Sequence, residues 1–321
     1  MPDSRMKLGD EIITVGLSPS WDTVFQFDRI EWGDHKPARS VDSRPAGKAM
    51  NISRALAWLG RPNTAAGLWG RHDYELMRKA VRRSAGLVKV RCTAVEGATR
   101  HNVTVVDTAN RREMHLRSSC RLVSPGALRK LHLDLRALIK RGSVCVFAGR
   151  MPEGRLLQQA VRIVEDCTVR GARVAVDTYG QALRRIVETG RVWLINPNVA
   201  ELRELVGADV ADRPASLAKA ARRLLDRVEI VLISRGGKGA VVVTGAEAWQ
   251  GRCLGRGKVL STVGCGDYLL AGFLNGLAES SKVFSALKMA LKAGTAKAWG
   301  WPEEKTWAQV RRRIRVQANR L

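Results

Sequence analysis

The sequence predicts an α/β protein in which helices cover both faces of a mostly parallel sheet. Continuous apolar stretches such as 144–149 and 229–234 have the length and composition of buried strands. Helical patterns of ten or more residues separate such stretches, as in crossover connections between parallel strands. No Pro/Ser-rich linker interrupts the 321 residues, of which 45% are apolar. We therefore expect a single domain over residues 1–321, with three layers and the sheet in the middle.

The first part of the chain predicts strands, one clear helix and a small β layer. Apolar residues 12–17 predict a strand, which a more alternating stretch follows at 23–27. Apolar residues at helical spacing predict a helix over 48–59, with Gly60 as its stop signal. Short strand patterns fill 88–117, and a turn-like DTANRR separates the last two as in a hairpin. Segments of about 22–45 and 90–117 are therefore expected to form a small β lid.

Regular alternation of helices and strands follows residue 120. The predicted elements are, in order, helix 125–139, strand 144–149, helix 154–169, strand 173–178, a short helix, strand 192–196, helix 217–225, strand 229–234 with a hairpin partner at 239–245, helices 267–278 and 281–299, and a basic amphipathic helix near the end.

The composition argues against a membrane-spanning or exported protein, but the net positive charge is compatible with several kinds of partner. No apolar run approaches the ~20 residues of a membrane helix, the N-terminus has no export signal pattern, and six cysteines are scattered. This favours a cytoplasmic protein with reduced thiols. A net charge of +25 is compatible with a nucleic-acid partner, a polyanionic substrate or a basic surface. The basic residues are spread along amphipathic helices, so we expect no specific nucleic acid and no membrane partner.

The segment from Ser261 to Leu277 has the pattern expected for phosphoryl transfer. Gly264 and Gly266 free the backbone at the start of an apolar helical stripe. A Gly-rich turn at a helix N-terminus presents unpaired N–H groups and the positive end of the helix dipole to an anion. Asp267, in the first turn, could accept a proton from an attacking hydroxyl. The alternative is an ordinary turn with a helix-capping Asp.

The order of motifs resembles the pfkB-type carbohydrate kinases of the ribokinase superfamily, in particular the branch that acts on phosphosugars. The matching segments, from about residue 12 to 300, are Leu17-Ser-Pro-Ser-Trp-Asp22 (LxPxxD), Ala46-Gly-Lys-Ala-Met-Asn-Ile-Ser-Arg54 (GGKGxNVAR), Thr99-Arg-His-Asn-Val103 (TRxNV), Gly149-Arg-Met-Pro-Glu-Gly154 (GSLPxG), Asp177-Thr-Tyr-Gly-Gln-Ala-Leu183 (DxSGxAL), Asn196-Pro-Asn-Val-Ala-Glu201 (KPNxxE), Ser234-Arg-Gly-Gly-Lys-Gly239 (SLGxxG) and Gly264-Cys-Gly-Asp267 (GAGD).

This resemblance implies a ribokinase-like fold and an ATP- and Mg²⁺-dependent kinase of a sugar phosphate, of the fructose 1-phosphate, fructose 6-phosphate or tagatose 6-phosphate type. It also implies a possible homodimer through the β lid. The implied roles are Asp267 as base; Gly264, Cys265 and Gly266 as anion-binding turn; Asp22, Gly47, Lys48, Asn51, Arg100 and Arg150 on the substrate, with Arg100 on its phosphate; Asn196, Asn198, Glu201, Ser234, Gly236 and Gly239 on the nucleotide, with Glu201 reaching Mg²⁺ through water.

The chain also departs from the pattern of this family. Ala46 and Ala49 replace glycines, Arg150 replaces a small Ser, Asn196 replaces a Lys, and Tyr268 replaces a Ser beside the base. These departures predict either an altered substrate or a weakly active descendant that binds a sugar phosphate or nucleotide as a sensor. A basic nucleic-acid-binding protein on a kinase scaffold is a third interpretation.

Overall fold

A large twisted sheet lies between two layers of helices in this computed structural model, which describes residues 9, 11–255 and 257–321. The strands are β1 Ile12–Gly16, β2 Ser20–Phe27, β3 Ser40–Ala46, β4 Asn63–Gly70, β5 Val88–Val90, β6 Thr93–Val95, β7 His101–Asp107, β8 Arg112–Arg117, β9 Val144–Ala148, β10 Arg173–Asp177, β11 Val192–Ile195, β12 Val228–Ser234, β13 Ala240–Thr244, β14 Ala248–Cys253 and β15 Val316–Arg320. The α-helices are α1 Lys48–Trp58, α2 Tyr74–Ser84, α3 Pro125–Leu138, α4 Gly154–Val169, α5 Gly180–Val187, α6 Val199–Val206, α7 Pro214–Arg222, α8 Cys265–Ser280, α9 Val283–Ala298 and α10 Trp307–Val310.

The main sheet has 11 strands among the described residues, in the order β15-β14-β13-β12-β11-β10-β9-β1-β4-β5, with β6 also paired to β4. Strands β12, β11, β10, β9, β1, β4, β5 and β6 pair in parallel, and β13, β14 and β15 add antiparallel strands at one edge. This is the ribokinase-like architecture expected from the sequence. The carboxyl ends of β9, β10 and β11 lie side by side, where α/β sheets place their ligands.

Each face of the sheet has its own apolar core. Helices α3, α4, α5 and α7 pack on one face around buried residues such as Leu131 and Ile163. Helices α1, α8 and α9 pack on the other face around Leu56, Phe273 and Leu287. Because apolar residues of the central strands face both cores, the strands read as continuous apolar runs in the sequence.

A second sheet of four strands, in the order β3-β2-β7-β8, forms the lid-like layer. Strands β2 and β7 run parallel although they are separated along the chain, and β3 and β8 flank them in antiparallel pairing. The predicted hairpin between β7 and β8 is present. The predicted segment 90–117 begins too early, because Thr93–Val95 pairs with β4 of the main sheet.

The C-terminal segment differs from the basic helix expected near the end. Only Trp307–Val310 is α-helical, and the chain then ends in β15. Residues Ile314, Val316 and Ala318 alternate with polar residues at a spacing of two. That period favours a strand with one covered face, and β15 pairs with β14 accordingly.

Candidate active site

The first turn of α8 carries the carboxylate that the sequence suggests as a base. Gly264 precedes the helix with φ 78°, a left-handed conformation that favours glycine. Within the described residues, the amides of Gly264 and Gly266 have no hydrogen-bond partner, whereas the Cys265 amide donates to the Thr262 carbonyl at 3.3 Å. Two free amides and the helix dipole therefore face the same place as Asp267.

Asp267 is buried, with 4% of its surface exposed, and α1 holds it in place. The Asn51 side-chain amide donates to Asp267 Oδ2 at 2.9 Å. Burial raises the pKa of Asp267 to about 7; the Asp177 charge adds to the rise, while Lys48, the Asn51 hydrogen bond and Lys297 oppose it. A carboxylate with a pKa near neutrality is suited to accept and release a proton under physiological conditions.

A lysine–aspartate pair lies next to this carboxylate. Lys48 Nζ, in the first turn of α1, contacts Asp177 Oδ1 at the end of β10 at 2.7 Å. Asp177 is 1% exposed, and its Oδ2 has no hydrogen-bond partner in the described chain. The Asn196 side-chain oxygen, one residue past the neighbouring strand β11, is also buried without a partner there. Two buried acceptors without donors indicate a place where a ligand completes the hydrogen bonding.

The start of α1 depends on a close backbone contact with the root of the lid. Gly47 has φ 101°, and a Cβ built there would lie 3.2 Å from Pro19 Cα. A glycine is therefore required by both conformation and space. Ala46 and Ala49, which replace family glycines, are buried against the protein, and the Ala49 methyl lies 3.0 Å from a Cβ built at Gly16. These two methyl groups fill space in the core.

The lid contributes a row of polar side chains around Asp22. Asp22 Oδ1 accepts hydrogen bonds from Ser20 Oγ at 2.9 Å and from Asn102 Nδ2 at 2.8 Å. Asn102 was not selected from the sequence as a site residue, although it belongs to the Thr99–Val103 segment. The signal for Asn102 is its place two residues after Arg100, at the Asn position of the segment that resembles TRxNV.

Arg100 makes contacts that its predicted role does not require. Its guanidinium donates to the carbonyls of Ser118 at 2.8 Å, Pro19 at 3.1 Å and Ser18 at 3.5 Å. Most of its donors thus tie together the roots of β2 and β8. In this structure Arg100 stabilises the attachment of the lid, and few of its N–H groups are free for a phosphate.

Two other departures from the family pattern also have visible contacts. Arg150 is exposed and its guanidinium donates to Glu153 at 2.9 Å. Tyr268 packs against Trp58, with ring centroids 5.7 Å apart. Both side chains thus have partners within the protein.

The predicted nucleotide residues lie at the carboxyl ends of β11 and β12. Asn198 and Glu201 form a reciprocal capping box at the start of α6, and burial raises the pKa of Glu201. Ser234 pairs with this segment through its amide, which donates to the Pro197 carbonyl at 3.0 Å. At Gly239, φ is 96° and a Cβ would lie 2.0 Å from the Gly251 carbonyl oxygen, so packing alone requires glycine there.

Gly236 is the more open of the two glycines predicted for the nucleotide. Its φ is 56°, and a Cβ built there would meet nothing within 4 Å. Positive φ explains the glycine, and the open space leaves its backbone accessible.

Among the described residues, no group of three or more His, Cys, Asp or Glu side chains could hold a metal ion. No described helix is long and apolar enough to cross a membrane.

Comparison with known proteins agrees with this architecture. Residues 17–298 match the pfkB family carbohydrate kinases. The 1-phosphofructokinase of Bacillus subtilis is 27% identical over 90% of this chain and 92% of its own length. The ATP-dependent 6-phosphofructokinase isozyme 2 of Escherichia coli is 27% identical over 89% and 91%. The crystal structure of phosphofructokinase-2 from Escherichia coli in complex with fructose-6-phosphate has a TM-score of 0.82, with 23% identity over 95% and 99% of the two chains.

These likenesses define the class of protein as a carbohydrate kinase, an enzyme that transfers a phosphoryl group to a sugar hydroxyl. Within that class, the chain belongs to the pfkB family.

Proposed function

We propose that the chain is an ATP-dependent kinase that phosphorylates a hydroxyl of a ketohexose phosphate, of the fructose 1-phosphate, fructose 6-phosphate or tagatose 6-phosphate type. The observation that supports this best is the buried Asp267 carboxylate, which Asn51 holds at 2.9 Å beside free amides. The names of the Bacillus subtilis and Escherichia coli relatives support a phosphorylated sugar as acceptor.

The residues present fit the cofactors that this reaction needs. ATP would supply the phosphoryl group, and Mg²⁺ would offset its charge, with Glu201 reaching the ion through water. The free amides of Gly264 and Gly266 suit an anion, and the Lys48 ammonium, 2.7 Å from Asp177, is close enough to contact one as well. We expect Asn198, Ser234 and Gly236 to line the nucleotide side of the cleft.

In the proposed reaction, Asp267 accepts the proton of the attacking hydroxyl. Asn51 fixes the orientation of the carboxylate, and the α8 turn stabilises negative charge on the group in transfer. Asp22, held by Asn102, binds sugar hydroxyls from the lid side, so that the lid excludes water from the cleft. We further propose that the protein is cytoplasmic and forms a homodimer in which the four-stranded lid sheets of two copies pack together.

The test is ADP release by the purified protein with each of the three sugar phosphates. Asp267→Asn should lower kcat about 10²- to 10⁴-fold, because the general base is lost while the shape of the side chain is kept. Asp209→Asn, at a carboxylate 92% exposed on the surface, is the matched control and should retain full activity.

Unchanged turnover in Asp267→Asn would contradict the assigned base. Binding of a sugar phosphate without turnover in the unmodified protein, measured by calorimetry, would instead favour the sensor interpretation that Ala46, Arg150 and Asn196 motivate.

A further inference from the structure

One carboxylate joins the root of the lid to the main body. Asp73 lies in the 3₁₀ turn Arg71–Asp73, which connects β4 to α2. Its Oδ2 accepts hydrogen bonds from the indole N–H of Trp21 in β2 and, at 2.9 Å, from that of Trp69 in β4. Its Oδ1 accepts a hydrogen bond from the Thr99 amide, just before β7, at 2.9 Å. The two central strands of the lid thus share one acceptor on the body.

This acceptor is charged, and its donors are shielded from water. Trp21, Trp69 and Thr99 are 4%, 1% and 2% exposed. Burial raises the pKa of Asp73, but the hydrogen bonds from the Thr99 amide and the two indoles outweigh it and hold the pKa below its ordinary value. Hydrogen bonds to a charged acceptor are strong, and a buried N–H group that loses its acceptor is costly. The carboxylate therefore holds both lid strands in one position relative to β4.

The two strands that Asp73 holds also carry the polar pair assigned to the sugar. Asp22 follows Trp21 directly, and Asn102 lies shortly after Thr99 on the other strand. Asp22 and Asn102 are direct partners in the β2–β7 ladder and are joined by the 2.8 Å hydrogen bond. Side chains alternate along a strand, so the Trp21 indole reaches Asp73 on one face of the lid while Asp22 projects from the other. The hold on β2 and β7 thus fixes the backbone from which both polar side chains project.

We infer that Asp73 is a positioning residue for the sugar substrate, because it sets where Asp22 and Asn102 lie relative to the proposed base. This inference rests on the proposed function for the identity of the ligand. Asp73 acts through the lid strands and not by contact with the substrate. A misplacement of about 1 Å can lower the efficiency of an enzyme about 10²-fold. The residues proposed for the nucleotide follow β11 and β12 of the main sheet, so we expect the effect on the sugar side of the cleft alone.

Asp73→Asn is the central variant of the test, because it keeps the size of the side chain but replaces one acceptor oxygen with an N–H₂ donor. In the ADP-release assay, KM for the sugar phosphate that is turned over fastest should rise about 10- to 100-fold, whereas KM for ATP should not change. Asp73→Glu should recover part of the loss, since it restores a charged acceptor. Asp28→Asn, at an exposed lid carboxylate paired with Arg39 at 2.9 Å, is the matched control and should retain both constants.

A pair of identical substitutions separates positioning from stability. Trp21→Phe and Trp69→Phe each remove one indole donor from Asp73 and leave a similar space in the buried cluster that both rings share. Only Trp21 belongs to the lid, because Trp69 lies four residues before Asp73 on the body. Both variants should melt at similarly lowered temperatures, but Trp21→Phe should raise KM for the sugar phosphate clearly more than Trp69→Phe. Equal KM values in the two variants would contradict the inference, even if Asp73→Asn does not fold.

Nuclear magnetic resonance gives a readout that needs no activity. Among the indole N–H signals of the nine tryptophans, those of Trp21 and Trp69 should lie downfield, because a strong hydrogen bond to a carboxylate deshields the proton. In Asp73→Asn both signals should move upfield, and the side-chain amide signal of Asn102 should shift with them. Asp28→Asn should leave all three signals in place.

Failure of this inference can be told apart from failure of the proposed function. If the indole signals move in Asp73→Asn while the Asn102 amide and KM for the sugar phosphate stay unchanged, the carboxylate stabilises the fold only, and the inference is overturned. Equal rises of KM for the sugar phosphate and for ATP overturn it as well. If the unmodified protein turns over no sugar phosphate, the proposed function fails. A shift of the Asn102 amide in Asp73→Asn then still supports the positioning role, and an unmoved signal refutes it.

Discussion

Catalysis requires the ionised form of the Asp267 carboxylate, whereas the fold favours its protonated form. Activity and stability should therefore both depend on pH. Its pKa rises from an ordinary 3.8 to about 7, chiefly because of burial. Only the ionised form can accept a proton, so kcat/KM should increase with pH through a midpoint near 7. The groups facing it from packed elements are Lys48, Asp177, Lys297, Cys265 and Tyr268. Removal of Lys297, a cation that opposes the rise, would move this midpoint upward.

The same carboxylate should reduce the stability of the fold above neutral pH. A raised pKa means that the folded protein prefers the protonated group, so stability falls as pH increases from about 4 to about 7. At pH 8, Asp267→Asn should therefore be more stable than the unmodified protein by at most about 4 kcal/mol, and the difference should shrink toward pH 4.5. Urea unfolding at both pH values measures it. An equal difference at the two pH values, or one shared by Asp209→Asn, would refute the explanation.

The order of motifs predicts which residues belong to the site around Asp267. It does not predict the side-chain contacts that depend on how the helices and strands pack against each other. Asn51 and Asp267 are 216 residues apart and still form a hydrogen bond. The resemblance implies that both act on the sugar, but it does not predict this contact. The ion pair of Lys48 with Asp177 was not predictable, because it depends on how α1 and the end of β10 are placed relative to each other. The use of Arg100 on backbone carbonyls depends in the same way on the exact path of residues 18–19 and 118.

Helices α8 and α9 approach each other closely through glycines. A Cβ built at Gly276 would lie 2.6 Å from Ala286 Cα, so an added methyl group must push the helices apart. We expect Gly276→Ala to destabilise the protein by roughly 1–3 kcal/mol, despite the better helix propensity of Ala. Urea unfolding at pH 7 measures this. Since α8 carries Asp267, kcat should also fall.

Gly245→Ala is the control, since a Cβ there meets nothing within 4 Å and its φ is not positive. Its effect should stay within about 0.5 kcal/mol. Equal stability of the two variants would show that α8 and α9 can separate at no cost.

Among the helices and strands, the sequence predicts the bounds of long periodic segments well. It predicts short elements and those at the edge of the sheet less well. The helix over 154–169 has the observed bounds, because its apolar spacing extends over four turns. Helix α7 begins at Pro214, earlier than expected, because proline at the first helical position adds little to the apolar pattern. The sequence predicts a helix near the end of the chain, where the structure has strand β15, because the run Arg311–Arg313 masks the apolar–polar alternation that follows it.

The small sheet has an outer face that is apolar and uncovered. Val41, Met114 and Leu116 are 56%, 46% and 51% exposed there. Met114 pairs with Val105 of β7, whereas Asp22 pairs with Asn102, three residues earlier on the same strand. Because side chains alternate along a strand, Met114 lies on the face opposite to Asp22. An exposed apolar patch of this kind fits the proposed self-association, in which a second copy covers it.

Leu116→Asp should convert a dimer of the unmodified protein into a monomer in sedimentation experiments at micromolar concentration. Burial of an unpaired charge in the interface opposes association. Leu133→Asp, at a leucine 66% exposed on α3, is the matched control and should stay dimeric. A monomeric unmodified protein would contradict this part of the proposal.

The last strand suggests one purpose for part of the excess positive charge. Strand β15 ends the main sheet, so its outer backbone groups could recruit a strand from another molecule. Exposed Gln317, Asn319 and Arg320 occupy this border, and Arg311–Arg313 and Arg315 lie just before it. Two such borders would repel each other at close range, so these arginines would oppose edge-to-edge pairing of the sheets of two molecules.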